Sequence, residues 1–474
     1  MVARKRVTQE SFEDAVNDNI ETFDMTREEA VKSAVEEFEM QGADLSGIVK
    51  HDPEDLRKHP VVLALVGVSA ARQTKDSASS LPQALQDLEQ ILQPSPTKSD
   101  SAEALAVAVS QGAVKELLAC CNKALGPPLL PDLAVPAARA LTAVLASDGA
   151  RDEFAEQDGH IALTALLEAL EGAPVGSIAA CIEAAAAKSE TSKCAFVDKG
   201  AHVLLIDAIR QPGVSHDALR PICGALRSFA TADDLRPTTS RAFQNGRAIA
   251  KAGAPEATLA AMQDHLASGT HVPHIPTAVC NALRRIAVND QICMEFADAG
   301  GLTVTMQAAQ QYMQDAQAAR ACLGLLRQLA NSDAIKESIV AASGLELINQ
   351  AVSCHLASAG PLEQALGLLA TLMLRNPAAA ELAADSGCID SCVEVMQACE
   401  RDNFSDSATG TQWVLRQACM ALRNMVARSP QLRGAVLEKG CEQHLRRAKQ
   451  AHPATCADVG SAALRDLGYD DYNA

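Results

Sequence analysis

Aromatic side chains are almost missing from this chain: they make up 3% of 474 residues, and Trp413 is the single tryptophan. Alternating runs of β-branched and aromatic residues are equally rare, so sheet propensity is poor, while abundant alanine makes helix propensity good. No apolar run reaches the roughly 18 residues that a membrane span requires. A basic excess is absent too. The formal net charge is −18, which speaks against a nucleic-acid binder, since that needs a basic face. The positive start MVARKRV runs into the acidic SFEDAVNDNIETF rather than an apolar core, which argues against a secretory signal.

Chemistry-bearing motifs are lacking as well. There is no Walker loop, no strand-linked GxGxxG, no HExxH and no GxSxG, so an enzymatic reading has no residues to rest on. Histidines number 11. Their one close polar pair, His271 and His274, stands in a Pro-containing loop without a neighbouring cysteine or carboxylate cluster and falls short of a metal site. The 15 cysteines include no Cys-x-x-Cys. Cys388 and Cys392 share a helical face, Cys399 lies beyond that register, and Cys120-Cys121 sit in a helical pattern. All read as reduced, buried, small hydrophobes of an intracellular, cytoplasmic protein with no cofactor and no metal.

What the chain does have is repetition. Glycines at 112, 159, 200, 253, 301, 344, 387 and 440 each open an apolar helix of about three turns. A polar break and a second helix follow, several of which carry an Ala-Leu-Arg phrase or a variant of it: GALRSFATADD, NALRRIAVND, LGLLRQLANSD, MALRNMVARSP, AALRDLG. Each glycine is expected to take a left-handed turn between two helices. Asp148, Asp234, Asp290 and Asp333 are expected as N-caps, and Asn376-Pro377 and Ser429-Pro430 as caps followed by proline at the first helical position. The glycine spacing, from the low forties to the low fifties, is that of armadillo and HEAT solenoids.

The pattern resembles the armadillo repeat, which implies an all-α, armadillo-type α-solenoid, a right-handed superhelix of about eight repeats. The expected organisation is an acidic N-terminal helical hairpin over 1–50, short helices and linker over 51–100, the solenoid over 101–468 and a solvated tail over 469–474. In the hairpin, Phe12, Val16, Ile20 and Phe23 share one face. Thr26-Arg27-Glu28-Glu29 reads as a capping box opening a second helix with Val31, Val35 and Phe38 as its stripe. The stretched repeats, through residues 232–251 and 401–412, are expected to carry surface loops.

On a helical wheel, Ala225, Leu226 and Phe229 fall in one sector and Arg227 on the opposite side. The same holds for Arg284, Arg285, Arg327, Arg423 with Asn424, and Arg465. In an armadillo superhelix this helix lines the concave surface, so stacked repeats would place these arginines in a row facing a partner. Arginine suits carboxylates and phosphates through its planar fork. The competing reading is that these arginines pair with acids of neighbouring repeats. Import-type armadillo grooves carry Trp and Asn at positions that here hold Gly224/Ser228, Asn281/Arg285, Gly324/Gln328, Gly367/Thr371 and Met420/Asn424. Only Asn424 agrees, so a nuclear-import role is rejected.

SFEDAVNDNIETFDMTREEAVKSAVEEFEMQGADLSGIVK (11–50), ALRSFATADDLRP, QACMALRNMVAR and AALRDLG resemble the armadillo repeat-containing protein 6 family in the expected order. That resemblance implies a solenoid acting through protein contacts, with no enzymatic activity and no functional residues to transfer. The expected function is therefore a scaffold whose concave arginine row holds an acidic or phosphorylated segment, a peptide or helix, of a protein partner, with neither nucleic acid nor membrane bound. The alternative is a permanent structural subunit of a large cytoskeletal or ciliary assembly, contacting through the hairpin and inserted loops.

Overall fold

The structure is a computed structural model that describes residues 7–45, 47–51, 53–74, 77–93, 98–211, 215–401 and 408–473. Among these the chain is helical, with no extended strand. It divides into two compact units, residues 1–242 and 243–474.

The first unit opens with α1 (Gln9–Phe23) and α2 (Arg27–Met40). The capping box is formed: Thr26 Oγ1 accepts from Glu29 N–H while the Glu29 carboxylate accepts from Thr26 N–H at 3.0 Å. Phe12, Val16, Ala30, Ala34 and Ile48 make a small core, with Ile20, Val31, Val35 and Phe38 packed at its edge. Phe23, expected on that face, is 65% exposed, because α1 ends there and Asp24 turns left-handed. All members of this core lie between Val7 and Ile48, and Gln9 holds the backbone of Val49 through two hydrogen bonds of 2.9 Å.

Helical triplets follow: α3 (Pro53–Lys58), α4 (Pro60–Gln73) and α5 (Ser77–Ile91); α6 (Lys98–Ser110), α7 (Ala113–Ala124) and α8 (Pro131–Val144); α9 (Asp148–Glu156), α10 (Gly159–Ala169) and α11 (Ala173–Ala186); α12 (Glu190–Asp198), α13 (Ala201–Arg210) and α14 (His216–Phe229). The third helices stack, α5 on α8, α8 on α11 and α11 on α14. The segment expected as short helices and linker thus holds a triplet whose last helix lies along α8; its residues 94–97 fall outside the described ones.

The second unit repeats the plan with α15 (Ala242–Lys251), α16 (Ala254–Ala267) and α17 (His274–Ile286); α18 (Asp290–Asp298), α19 (Gly301–Gln311) and α20 (Ala316–Leu329); α21 (Asp333–Ala341), α22 (Gly344–Cys354) and α23 (Ala359–Met373); α24 (Pro377–Asp385), α25 (Cys388–Glu400) and α26 (Ala408–Val426). The last triplet is α27 (Arg433–Glu438), α28 (Cys441–Ala451) and α29 (Pro453–Leu467). Here α17, α20, α23, α26 and α29 stack in order. Counting from α6, eight triplets cover 98–467, an armadillo-type α-solenoid. Within the 401–412 insertion, residues 402–407 lie outside the described ones and 408–412 already belong to α26.

The turns differ from expectation at three repeats. Gly112, Gly200, Gly253, Gly387 and Gly440 are left-handed, but at the others the left-handed residue comes one earlier: Asp158, Gly300 and Ser343. Gly159, Gly301 and Gly344 are the first residues of their helices, and a Cβ there has no room. It would overlap the rings of Phe154 and Phe296 in the first two, and lie 2.6 Å from the Ile339 carbonyl oxygen in the third. The caps shift likewise. Asn289 and Ser332 occupy the N-cap positions expected for Asp290 and Asp333, and Ser147 that of Asp148. Asp148 and Asp333 pair instead with Arg151 and Lys336. Asn376 caps as expected, accepting from Ala379 N–H at 3.1 Å. The final residues do not run free: Asp471 pairs with Arg446 at 2.8 Å and the Tyr469 hydroxyl donates to Glu442 at 2.5 Å, folding the tail onto α28.

Candidate functional site

The third helix of each triplet presents two different sides. On α14, Ala225, Leu226 and Phe229 are completely buried while Arg227 is exposed. On α17, Ala282, Leu283 and Ile286 are buried, Arg284 is half-buried and Arg285 exposed. Stacking one third helix on the next decides what each arginine meets.

Several of them meet acids. Arg227 pairs with Glu183 on α11 at 2.9 Å. Arg423 and Arg465 both reach Asp466 on α29, at 3.4 and 2.9 Å. These pairs are at least partly exposed, and such pairs typically contribute about 0–1 kcal/mol. Asn424 turns inward, donating from Nδ2 to the Ala370 carbonyl of α23 at 2.8 Å. Gln328 does the same one repeat-pair earlier, donating to Ala287 O at 2.8 Å. The amide that agrees with the import-type pattern therefore ties neighbouring third helices together.

The arginines of α17 and α20 are different. Among the described residues, Arg284 and Arg285 on α17 and Arg320 on α20 have no ion pair, and Arg327 on α20 donates only to the neutral Gln417 Oε1, at 3.3 Å. Burial comes first in pulling the Arg284 guanidinium below its ordinary range, followed by the like charges of Arg285 and Arg320, with Arg327 adding to them. Burial lowers Arg327 as well, and the nearby acid that opposes the shift in both cases is Glu363 on α23. Four guanidiniums thus gather near one carboxylate, in a chain whose net charge is −18.

The room for them comes from glycines on the third helices; the sequence marks Gly224, Gly324 and Gly367 only as departures from the import-type pattern, not as seats for side chains. A Cβ on Gly324 of α20 would lie 2.7 Å from Arg284 Nη1. A Cβ on Gly367 of α23 would overlap the guanidinium of Arg327, and one on Gly360 would lie 3.0 Å from Arg320 Cδ. On α14, Gly224 makes the same space for the Glu183 carboxylate. Mid-helix glycine costs about 0.5–1 kcal/mol relative to alanine, so its recurrence in GALR and LGLL was the available signal.

Among the described residues, no group of three or more His, Cys, Asp or Glu side chains is arranged to hold a metal ion. His271 stacks on Tyr312 with ring centroids 4.7 Å apart. Burial pushes thiols up, Cys181, Cys223 and Cys388 to about 12, which makes them poor nucleophiles at neutral pH. Among the described residues, no single helix is long and apolar enough to cross a membrane.

Residues 4–79 match the family described as armadillo repeat-containing protein 6 N-terminal domain. The chain is 31% identical over 310 residues to armadillo repeat-containing protein 6 of Homo sapiens, and the Pongo abelii protein of that name matches equally. Each match covers 63% of this chain and 58% of the relative, so the chain spans little more than half the length of those proteins. Among solved structures, the crystal structure of an engineered protein superposes with a TM-score of 0.53 at 18% identity, covering 86% of this chain and 99% of its own. A chain from work on a phosphorylation switch in the interaction between cadherin and beta-catenin gives 0.56 at 15% identity, covering 89% and 82%. At those identities the two structures speak for the fold alone. By these matches the chain is similar to armadillo repeat-containing protein 6 over part of its length: residues 4–79 match that family's N-terminal domain, and an armadillo-type α-solenoid follows them.

Proposed function

We propose that the chain is a non-enzymatic protein-interaction scaffold, and that the third helices of its second unit hold an acidic or phosphorylated segment of a protein partner. The observation that carries this reading is the half-buried pair Arg284 and Arg327, with Arg285 and Arg320 beside them and, among the described residues, no carboxylate in ion-pair contact. Like charges held together without partners are destabilising, and an anionic ligand relieves that repulsion while filling the donor forks. Arg227, Arg423 and Arg465 can contribute only by exchanging their internal acids for those of a partner; Asn424 is engaged by the fold. Support for a second reading, a permanent structural subunit, comes from the self-contained core of the N-terminal hairpin, which suits a separate contact element.

The test is a pull-down with the wild-type chain, a variant with Arg284, Arg285, Arg320 and Arg327 all changed to Glu, and a chain lacking residues 1–50. Loss of partners from the charge-reversed variant, with at least ~100-fold weaker binding of a Glu-rich peptide (about 2.7 kcal/mol), is the expected result. Unchanged partners would sink the groove reading. Loss only on removing the hairpin would favour the structural subunit.

A further inference from the structure

We infer that the anion held by this site is a phosphorylated side chain of the partner, not a run of carboxylates; the inference rests on the scaffold reading above. Register is the first argument. Arg320, Gly324 and Arg327 lie four and three residues apart, so they share one face of α20. The Arg284 guanidinium, which lies over Gly324, is therefore set between the roots of Arg320 and Arg327. On α23, Gly360, Glu363 and Gly367 lie three and four residues apart and so also share one face. Arg320 and Arg327 lie over the two glycines, with Glu363 between them. Three guanidiniums from two helices thus line this face in a row, Arg284 between Arg320 and Arg327, with Arg285 at the edge.

The second argument is the match of charge and shape. One guanidinium already saturates one carboxylate with a bidentate pair. Adjacent forks from two helices, Arg284 beside Arg320 and Arg327, suit a group with three acceptor oxygens and a charge near −1.5 to −2, as in a phosphate monoester. Four arginines and Glu363 leave the site strongly positive, and a single carboxylate would leave most of that charge uncompensated. The net charge of −18 disfavours a phosphate presented by a nucleic acid or an anionic membrane, since those polyanions would meet repulsion everywhere else. A protein segment carrying one phosphate brings only local charge.

Third, the glycines make the geometry separable from the charge. Alanine at 324 or 367 leaves every arginine in place in the sequence and favours the helix, yet it pushes the guanidinium off its seat. Both are positioning residues. They are tested by fluorescence anisotropy on the full chain with one serine-glutamate peptide made in three forms, carrying phosphoserine, serine or glutamate at its centre. Expected are at least tenfold tighter binding of the phosphoserine form than of the glutamate form, and loss of that preference in Arg284→Gln with Arg327→Gln. Gly324→Ala and Gly367→Ala should weaken phosphopeptide binding at least threefold while melting no lower than wild type.

Equal affinity for the phosphoserine and glutamate forms would overturn the phosphate inference and leave the scaffold reading standing. Failure to bind either form overturns both. Glycine variants that bind the phosphopeptide as the wild type does overturn the seat, as would a single-stranded oligonucleotide or phosphatidylserine vesicles binding as tightly as the phosphopeptide.

Discussion

At the residue scale the structure separates two reasons for glycine that look alike in the sequence. Gly300 is left-handed, with φ at 88°, whereas Gly301 beside it has ordinary helical backbone but no space. Gly301→Ala should destabilise the chain by about 1–3 kcal/mol, as overpacking does. Pairing it with Phe296→Leu should restore part of the loss, because the ring is what the new methyl meets; thermal melts of the two single variants and the double variant read the coupling. The cysteines show the same dependence on surroundings. Thirteen are buried, and Cys194 and Cys354 are intermediate in exposure. Alkylation of the native chain at neutral pH, followed by mass spectrometry, should mark at most those two, with the others reacting only after denaturation.

At the scale of elements, the stretched repeat after α14 is a clamp. The Arg236 guanidinium donates to Asp152 on α9 at 2.6 Å, to the Lys188 carbonyl at 3.0 Å and twice to Asp234. Asp234, expected to cap the helix after it, accepts instead from Glu190 N–H at 3.0 Å and so secures the start of α12. Lys193, wholly buried, donates to the Thr231 carbonyl at 2.6 Å and pairs with Asp233. Arg236 holds the Asp234 carboxyl far below the usual carboxylate range. A depressed pKa of this kind supplies stability that is complete above the unfolded value of about 3.9 and disappears as pH falls below it. Asp234→Ala should therefore speed exchange of the α12 amides about 5- to 30-fold at pH 7, equivalent to about 1–2 kcal/mol. The gap between variant and wild type should narrow below about pH 4. Proximity in sequence suggested a local cap; the acceptor is 44 residues from its donor, a distance that only repeat stacking closes.

For the whole molecule, an acidic chain that carries the arginine cluster of α17 and α20 makes a prediction about salt. Exposed charges are screened beyond about 10 Å at 0.1 M ionic strength and about 3 Å at 1 M. Binding of the Glu-rich peptide should weaken by roughly tenfold or more between 0.05 and 0.5 M salt, and an affinity independent of salt would contradict an electrostatic groove.

Alanine-rich composition, the glycine period and the apolar sectors of the third helices are local properties, and they were enough to specify an α-solenoid of about eight repeats and the capping box at Thr26. Each depends on neighbours within a turn or two of helix. The fate of the arginines was not legible in this way. Arg227, Arg284, Arg327 and Arg423 occupy equivalent places in the Ala-Leu-Arg phrase, and the phrase alone cannot distinguish them. What distinguishes them is the next third helix, some 40 residues onward, or for Arg227 the preceding one: Glu183 beside Arg227, Asp466 beside Arg423, glycine beneath Arg284 and Arg327. Period and polarity set the fold, since helix formation and burial are decided locally. Which cations remain unneutralised was decided by stacking, because charge compensation acts through space between residues that the chain keeps far apart.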